Sequence, residues 1–152
     1  MKIVLFEPQI PQNTGNIVRT CSITGAGLVL VRPLGFRISS KALKRAGLDY
    51  WDEVDIEYID DLEKYLEQSN CPFYFFSSKA TRPYSDISFT DQDILIFGSE
   101  TAGLPQKIHE KWAEKFYTLP MRSGRRSLNL SNTAAIVSYE ALRQQSFEPL
   151  LN

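Results

Sequence analysis

Three short stretches concentrate side chains able to do chemistry. In "RRSLNLSNTAAIV", Arg125 to Val137, the small polar residues Ser127, Asn129, Ser131 and Asn132 stand directly before an apolar run. One capping residue is enough to accept a hydrogen bond from the orphan amides of a following helix. The surplus suits a ligand with many polar edges, such as a purine or an amino-acid moiety. Periodicity starts the helix near Ser131, with Ser131 or Asn132 as the cap, so Ser127 and Asn129 are left for another purpose. In "PQNTGNIVRT", Asn13 or Thr14 can cap a helix over residues 15–24. Arg19, further along that helix, carries a guanidinium fork suited to a phosphate or carboxylate, or else serves as an ordinary surface arginine. In "IFGSETAGLP", Gly98 and Gly103 let a ligand approach the main chain, and Glu100 between them can orient loop amides or meet a cation.

Other chemistries are argued against by what these stretches lack. There is no G-x-x-x-x-G-K-[ST], and "TGAGL" at residues 24–28 lies between a helix and a strand, the wrong order for a dinucleotide loop. Gly25 there reads as a helix C-cap. Cys21 and Cys71 are far apart with no C-x-x-C, and His109 is the single histidine, which argues against a metal site or a disulfide framework. Both cysteines read as small buried or half-buried side chains. His109, among charged neighbours in "LPQKIHEKWAEK", reads as solvated and without a role.

The elements that must position these loops follow from the hydrophobic pattern. Strands are predicted over residues 2–6, 27–31, 54–59, 73–77, 93–98 and 116–120, with helices over 15–24, 39–46, 60–68, 105–114 and 131–145. Such alternation predicts an α/β fold with a mainly parallel sheet covered by helices on both faces. In open sheets of this class ligands sit beyond the carboxyl ends of the strands. The three stretches above follow the first, fifth and sixth predicted strands, as that rule requires.

With 152 residues, 43% hydrophobic and 23% charged, the chain can bury a real core, and it is read as one domain over residues 1–152. No apolar run approaches a membrane span, and "MKIVLFEP" does not read as a secretory signal, so a cytoplasmic location is expected. The net charge of -1 hides a segregation: residues 1–48 carry seven Lys or Arg against Glu7 alone, and residues 49–67 carry nine Asp or Glu against Lys64 alone. Arg122, Arg125 and Arg126 form a further basic cluster. Such a patch can attract a polyanion even when the whole molecule is not basic, although an ordinary solvated surface explains it as well.

Taken together, "EPQIPQNTGNIVR", "FGSETAGLP" and "LPMRSGRRSLNLSN" resemble the three motifs of the SPOUT superfamily of S-adenosylmethionine-dependent RNA methyltransferases. More narrowly, with "PLGFRISSKALKRAGLDYW" between the first two, the chain resembles the small TrmL (YibK-like) enzymes, which methylate the ribose 2′-hydroxyl of the wobble nucleotide of certain tRNAs. It departs from common versions of the second motif in having Ser99 for proline and Ala102 for arginine.

The resemblance implies a carboxyl-terminal trefoil knot, a homodimer whose final helix carries Tyr139 toward the partner, and S-adenosyl-L-methionine as cofactor. Phe76, Gly98, Leu119 and Ser127 fall at cofactor-binding positions, and Asn13, Arg19, Glu100 and Asn129 at positions associated with catalysis or with shaping its centre. The expected partner is a tRNA anticodon stem-loop, held through phosphates by Arg37, Lys41, Lys44, Arg45, Arg122, Arg125 and Arg126. The acidic stretch from Asp49 to Glu67 is expected to face away. A SPOUT enzyme acting on another RNA position or on a base nitrogen, and a catalytically silent RNA- or nucleotide-binding module, remain as alternatives.

Overall fold

The computed structural model describes residues 1–39, 41, 45 and 48–151. Six strands, β1 (Lys2–Phe6), β2 (Gly27–Val31), β3 (Ile56–Ile59), β4 (Phe73–Phe76), β5 (Ile94–Phe97) and β6 (Phe116–Tyr117), form one parallel sheet in the order β3-β2-β1-β5-β4-β6. Each lies at or within its predicted bounds. The helices are α1 (Pro11–Thr24), α2 (Leu62–Glu67), α3 (Gln106–Lys111), α4 (Leu130–Gln144) and α5 (Glu148–Leu151). The predicted helix over 39–46 and the candidate RNA contact Lys44 fall largely or wholly outside the described residues.

Because successive strand side chains point to opposite faces, the apolar runs divide into two cores. On one face Ile3, Leu5, Leu28, Leu30, Leu95 and Phe97 pack with Ile17, Val18 and Cys21 of α1 and with Ala134, Val137 and Ala141 of α4. On the other, Val4, Val29, Val31, Phe75, Ile94 and Ile96 pack with Leu62 and Leu66 of α2 and Ile108 of α3. Burial on both sides is what near-continuous apolar strands of a parallel sheet require. Cys21 is buried, which pushes its thiol up to about 12, and Cys71 is half-buried; both are free.

Two helix starts differ from the sequence reading. α1 begins at Pro11, with Ile10 as an N-cap that makes no side-chain cap, so Asn13 and Thr14 lie inside its first turn. Proline suits that first position because its missing N–H would be an orphan in any case and its φ is already helical. The carbonyl of Ile10 accepts from the amides of Asn13 and Thr14 at 3.1 and 3.3 Å, which leaves the Asn13 side chain free for other bonds. α4 is capped by Asn129 rather than by Ser131 or Asn132: its side-chain oxygen accepts from both of their amides. The predicted Gly25 cap is present, in the left-handed conformation with φ 70°.

β1 lies between β2 and β5, so the chain leaves the carboxyl ends of β1 and β5 toward opposite sides of the sheet. The crevice between such diverging loops is where sheets of this class bind ligands. Among the described residues no helix is long and apolar enough to cross a membrane, and no group of three or more His, Cys, Asp or Glu is placed to hold a metal.

Candidate active site

A pocket of about 390 Å³ opens at this crevice, walled by the loops after β1, β4, β5 and β6 and by the start of α4. That volume lies within the range of small-molecule sites. Phe76, Gly98, Glu100, Leu119, Ser127, Asn13 and Asn129 all line it. Phe76 is held by stacking on Phe97, with ring centroids 5.0 Å apart. The hydroxyl-bearing residues Ser77, Thr101, Thr118, Ser127 and Thr133 line it together with the apolar Leu104, Leu119 and Leu130. Apolar walls with convergent polar groups fit a flat heteroaromatic ring joined to a hydroxylated sugar.

One hydrogen-bonded chain joins three of these loops. Glu100 Oε2 accepts from the Gln9 amide at 2.8 Å, while its Oε1 accepts from the Ile10 amide and from Asn13 Nδ2, both at 3.1 Å. Asn13 Oδ1 in turn accepts from Asn129 Nδ2 at 3.0 Å. Asn129 Oδ1 accepts from the Ser131 amide at 2.9 Å and from its hydroxyl at 2.7 Å. From Ser131 through Asn129 and Asn13 to Glu100 the donors point the same way, so each bond polarises the next. Of the two readings left open for Glu100, the geometry shows it orienting loop amides.

Gly98 is explained by its own loop. A Cβ there would stand 2.5 Å from the carbonyl carbon of Gly103 and 2.8 Å from the Leu104 nitrogen. The approach is close because Ser99 and Gly103 exchange backbone hydrogen bonds of 3.1 and 3.0 Å. Gly103 makes the turn possible with φ +66°.

His109 is a correction to the sequence reading. Its ring stacks on Phe116 at 4.1 Å between centroids and lines the pocket, so it is half-buried rather than solvated. An aromatic three residues into a short helix that faces a strand phenylalanine was the available signal, and the surrounding charges masked it. Burial first, and then the Lys79 ammonium, push its pKa below the ordinary 6.5. The folded state therefore binds this proton less readily than the unfolded state. The contribution to stability is complete above about pH 6.5 and falls away as the pH drops below it. As the single histidine, His109 should give one imidazole titration by NMR, with a midpoint below 6.5 that rises in Lys79→Gln. A midpoint at or above 6.5 would contradict the stacked, half-buried placement.

The remaining candidates lie elsewhere on the chain. Arg19 does not line the pocket: six residues beyond Asn13, it sits about 9 Å further along α1 and about 120° around it. Its guanidinium is exposed and lies over the Tyr50 ring at 5.3 Å. Arg37, Lys41, Arg45, Arg122, Arg125 and Arg126 are exposed. Tyr139 is 43% exposed on the outer face of α4 near Ile136 at 41%, while Ile23 on α1 is 54% exposed. Much of the acidic stretch is matched locally, with Glu57 paired to Lys2, Asp60 to Arg32, and Glu63 and Glu67 to Lys111.

Comparison with known proteins decides the family. The profile of the SpoU rRNA methylase family matches residues 1–139. The chain belongs to that family. A Listeria monocytogenes relative, named as a candidate tRNA (cytidine(34)-2′-O)-methyltransferase, is 50% identical over 98% of this chain and 90% of its own length. A solved structure concerned with 2-OH methylation of C/U34 on tRNA superposes with a TM-score of 0.89 at 39% identity, covering 97% of both chains. An AdoMet-bound rRNA methyltransferase from Sinorhizobium meliloti superposes with a TM-score of 0.83 at 25% identity, over 93% of this chain and 55% of its own. This SpoU chain is thus a methyltransferase with the parallel α/β fold of its relatives. Its Ser99, where proline is common, supplies an N–H that donates to Gly103 and a hydroxyl that accepts from the Ala102 amide at 3.2 Å.

Glu100 offers a direct test of the network. Glu100→Gln keeps the shape but sets an NH₂ against an amide donor, because both carboxylate oxygens already accept. An unsatisfied donor costs about 1–3 kcal/mol, so the melting temperature should fall by about 2–12 °C, nearly as far as in Glu100→Ala. Calorimetry of both variants checks this, and Glu100→Gln melting with the wild type would refute it.

Proposed function

We propose that this chain transfers a methyl group from S-adenosyl-L-methionine to the ribose 2′-hydroxyl of the wobble nucleotide, a cytidine or modified uridine, of tRNA. The observation that carries this reading is the convergence of all three sequence motifs on one pocket, joined through Asn13, Glu100 and Asn129. The half identity with the Listeria relative over nearly the whole chain supports the tRNA substrate. Residues 1–152 act as one methyltransferase domain with a carboxyl-terminal trefoil knot, in which the 118–129 segment returns from the sheet edge to the β1/β5 crevice.

When bound, S-adenosylmethionine supplies a methyl group already activated on a sulfonium. Phe76, Gly98, Leu119 and Ser127 hold the cofactor, with apolar walls and hydroxyls of matching chemistry. Asn13, Glu100 and Asn129 fix the loops around it. Alignment of this kind supplies roughly 7–11 kcal/mol of a barrier. Arg19 comes from the second protomer of a homodimer, since it lies away from the pocket of its own chain. It orients a substrate phosphate and stabilises negative charge developing on the 2′-oxygen. An arginine does not release its proton, so that phosphate or a water accepts the one lost by the hydroxyl.

Ile23, Ile136 and Tyr139 form the apolar partner-facing surface. Arg37, Lys41, Lys44, Arg45, Arg122, Arg125 and Arg126 contact phosphates of the anticodon stem-loop, so affinity falls with salt. The work is cytoplasmic, where the tRNA substrate resides.

The test is methyl transfer from labelled cofactor to unmodified tRNA and to rRNA, followed by nucleoside mapping. The expected product is a 2′-O-methyl nucleoside at position 34. A methylated base nitrogen, another position, or cofactor binding without transfer would each replace this reading with one of its alternatives.

A further inference from the structure

The turn Leu48–Glu53 packs along α1 and brings Tyr50 to Arg19. Three contacts hold it there. Ser22 Oγ of α1 donates to Glu53 Oε2 at 2.5 Å, and Trp51 and Val54 lean on the core beneath α1. The Tyr50 ring packs partly on the same core, so it cannot follow a mobile arginine but can hold one.

The choice of partner has a chemical consequence. The same turn carries Asp49, Asp52 and Glu53, and a carboxylate would fix a guanidinium more tightly than a phenol ring. Yet among the described residues the Arg19 side chain makes no ion pair and no hydrogen bond, and its guanidinium lies over the Tyr50 ring. A carboxylate would neutralise the arginine and occupy its N–H fork. A ring face restrains the group while leaving the positive charge and the five donors unspent.

We propose that Tyr50 is a positioning residue for Arg19: its ring holds the guanidinium in place, charged and with its donors free, for the oxygen and phosphate of the RNA. This rests on the catalytic reading of Arg19 given above. It also predicts that arginine serves better than lysine here, since a compact, strongly hydrated ammonium gains less from the half-buried ring and has no planar fork to present.

The experiment measures methylation under saturating cofactor for Tyr50→Leu, Tyr50→Phe and Tyr50→Leu combined with Arg19→Ala, with S-adenosylhomocysteine affinity measured separately by calorimetry. Tyr50→Leu should lower kcat about 3- to 10-fold, the scale of an exposed to partly desolvated cation–π contact, with S-adenosylhomocysteine bound within about twofold of wild type. Tyr50→Phe, which restores the ring without the hydroxyl, should recover most of the lost kcat. In the Arg19→Ala background Tyr50→Leu should cost nothing further.

Equal losses in both backgrounds, no recovery with phenylalanine, or full turnover in Tyr50→Leu would each overturn the proposal. A fall in product affinity that matches the fall in kcat would also overturn it, because the ring would then be acting as general scaffolding. Undiminished turnover in Arg19→Ala alone would instead remove the catalytic reading on which the proposal rests.

Discussion

Replacing Arg19 with alanine should lower kcat for tRNA methylation by about 100- to 1,000-fold and leave S-adenosylhomocysteine affinity unchanged. The magnitude is that of removing one preorganised charge from the site where negative charge develops. Intact binding is expected because Arg19 lines no part of its own chain's pocket and makes no bond to the Asn13–Glu100–Asn129 network. The fold should also persist, since the side chain is exposed. Lysine at this position keeps the charge without the fork, so Arg19→Lys should fall between the two. Single-turnover assays on tRNA, paired with calorimetric binding, measure both quantities. Full turnover in the alanine variant would rule out Arg19 as an electrostatic partner and as a base.

In the proposed homodimer, a mixture of Arg19→Ala subunits with subunits whose pocket is disabled sharpens the same result. If Arg19 acts on the partner's pocket, an Arg19→Ala subunit paired with one whose pocket is disabled retains one working site. That site combines the first subunit's pocket with the second subunit's arginine. If Arg19 serves its own chain's pocket, the mixed dimer is inactive. The proposed function predicts the first outcome, because Arg19 lines no part of its own chain's pocket.

The strands were legible in the sequence because a parallel sheet buried on both sides demands short apolar runs, and "KIVLF" and "GLVLV" have no other economical use. Helix starts were less legible. At α1, Asn13 and Thr14 both suit a cap by residue type, but Pro11 starts the helix four residues before the predicted residue 15. At α4, Asn129 does two jobs that looked exclusive: its oxygen caps the helix and its nitrogen binds Asn13. Composition cannot reveal such sharing, because it depends on a residue 116 positions away in sequence. At His109 the reason was different: its stacking partner Phe116 lies only seven residues on, and the charges around the histidine masked that contact.

Gly98→Ala should both destabilise the protein and abolish cofactor binding, and the contrast with Gly103→Ala shows why. At Gly98 an added Cβ meets Gly103 Cα at 2.7 Å and Leu104 nitrogen at 2.8 Å, backbone atoms that cannot rotate aside. The 99–104 loop must shift, and it carries Glu100, the anchor of the Gln9, Ile10 and Asn13 bonds. Overpacking of this kind costs about 1–3 kcal/mol, a fall in melting temperature of about 2–12 °C for a chain of this size. At Gly103 nothing lies within 4 Å, so alanine there meets only the strain of φ +66°, roughly 1–2 kcal/mol, with the loop left in place. Gly103→Ala should therefore lose stability while keeping most of its affinity for S-adenosylhomocysteine, whereas Gly98→Ala should lose both. Were Gly98→Ala to melt with the wild type and lose only binding, the glycine would be serving the ligand directly and the loop would have room to spare. The Ser99–Gly103 pairing, at 3.0 and 3.1 Å, leaves no such room.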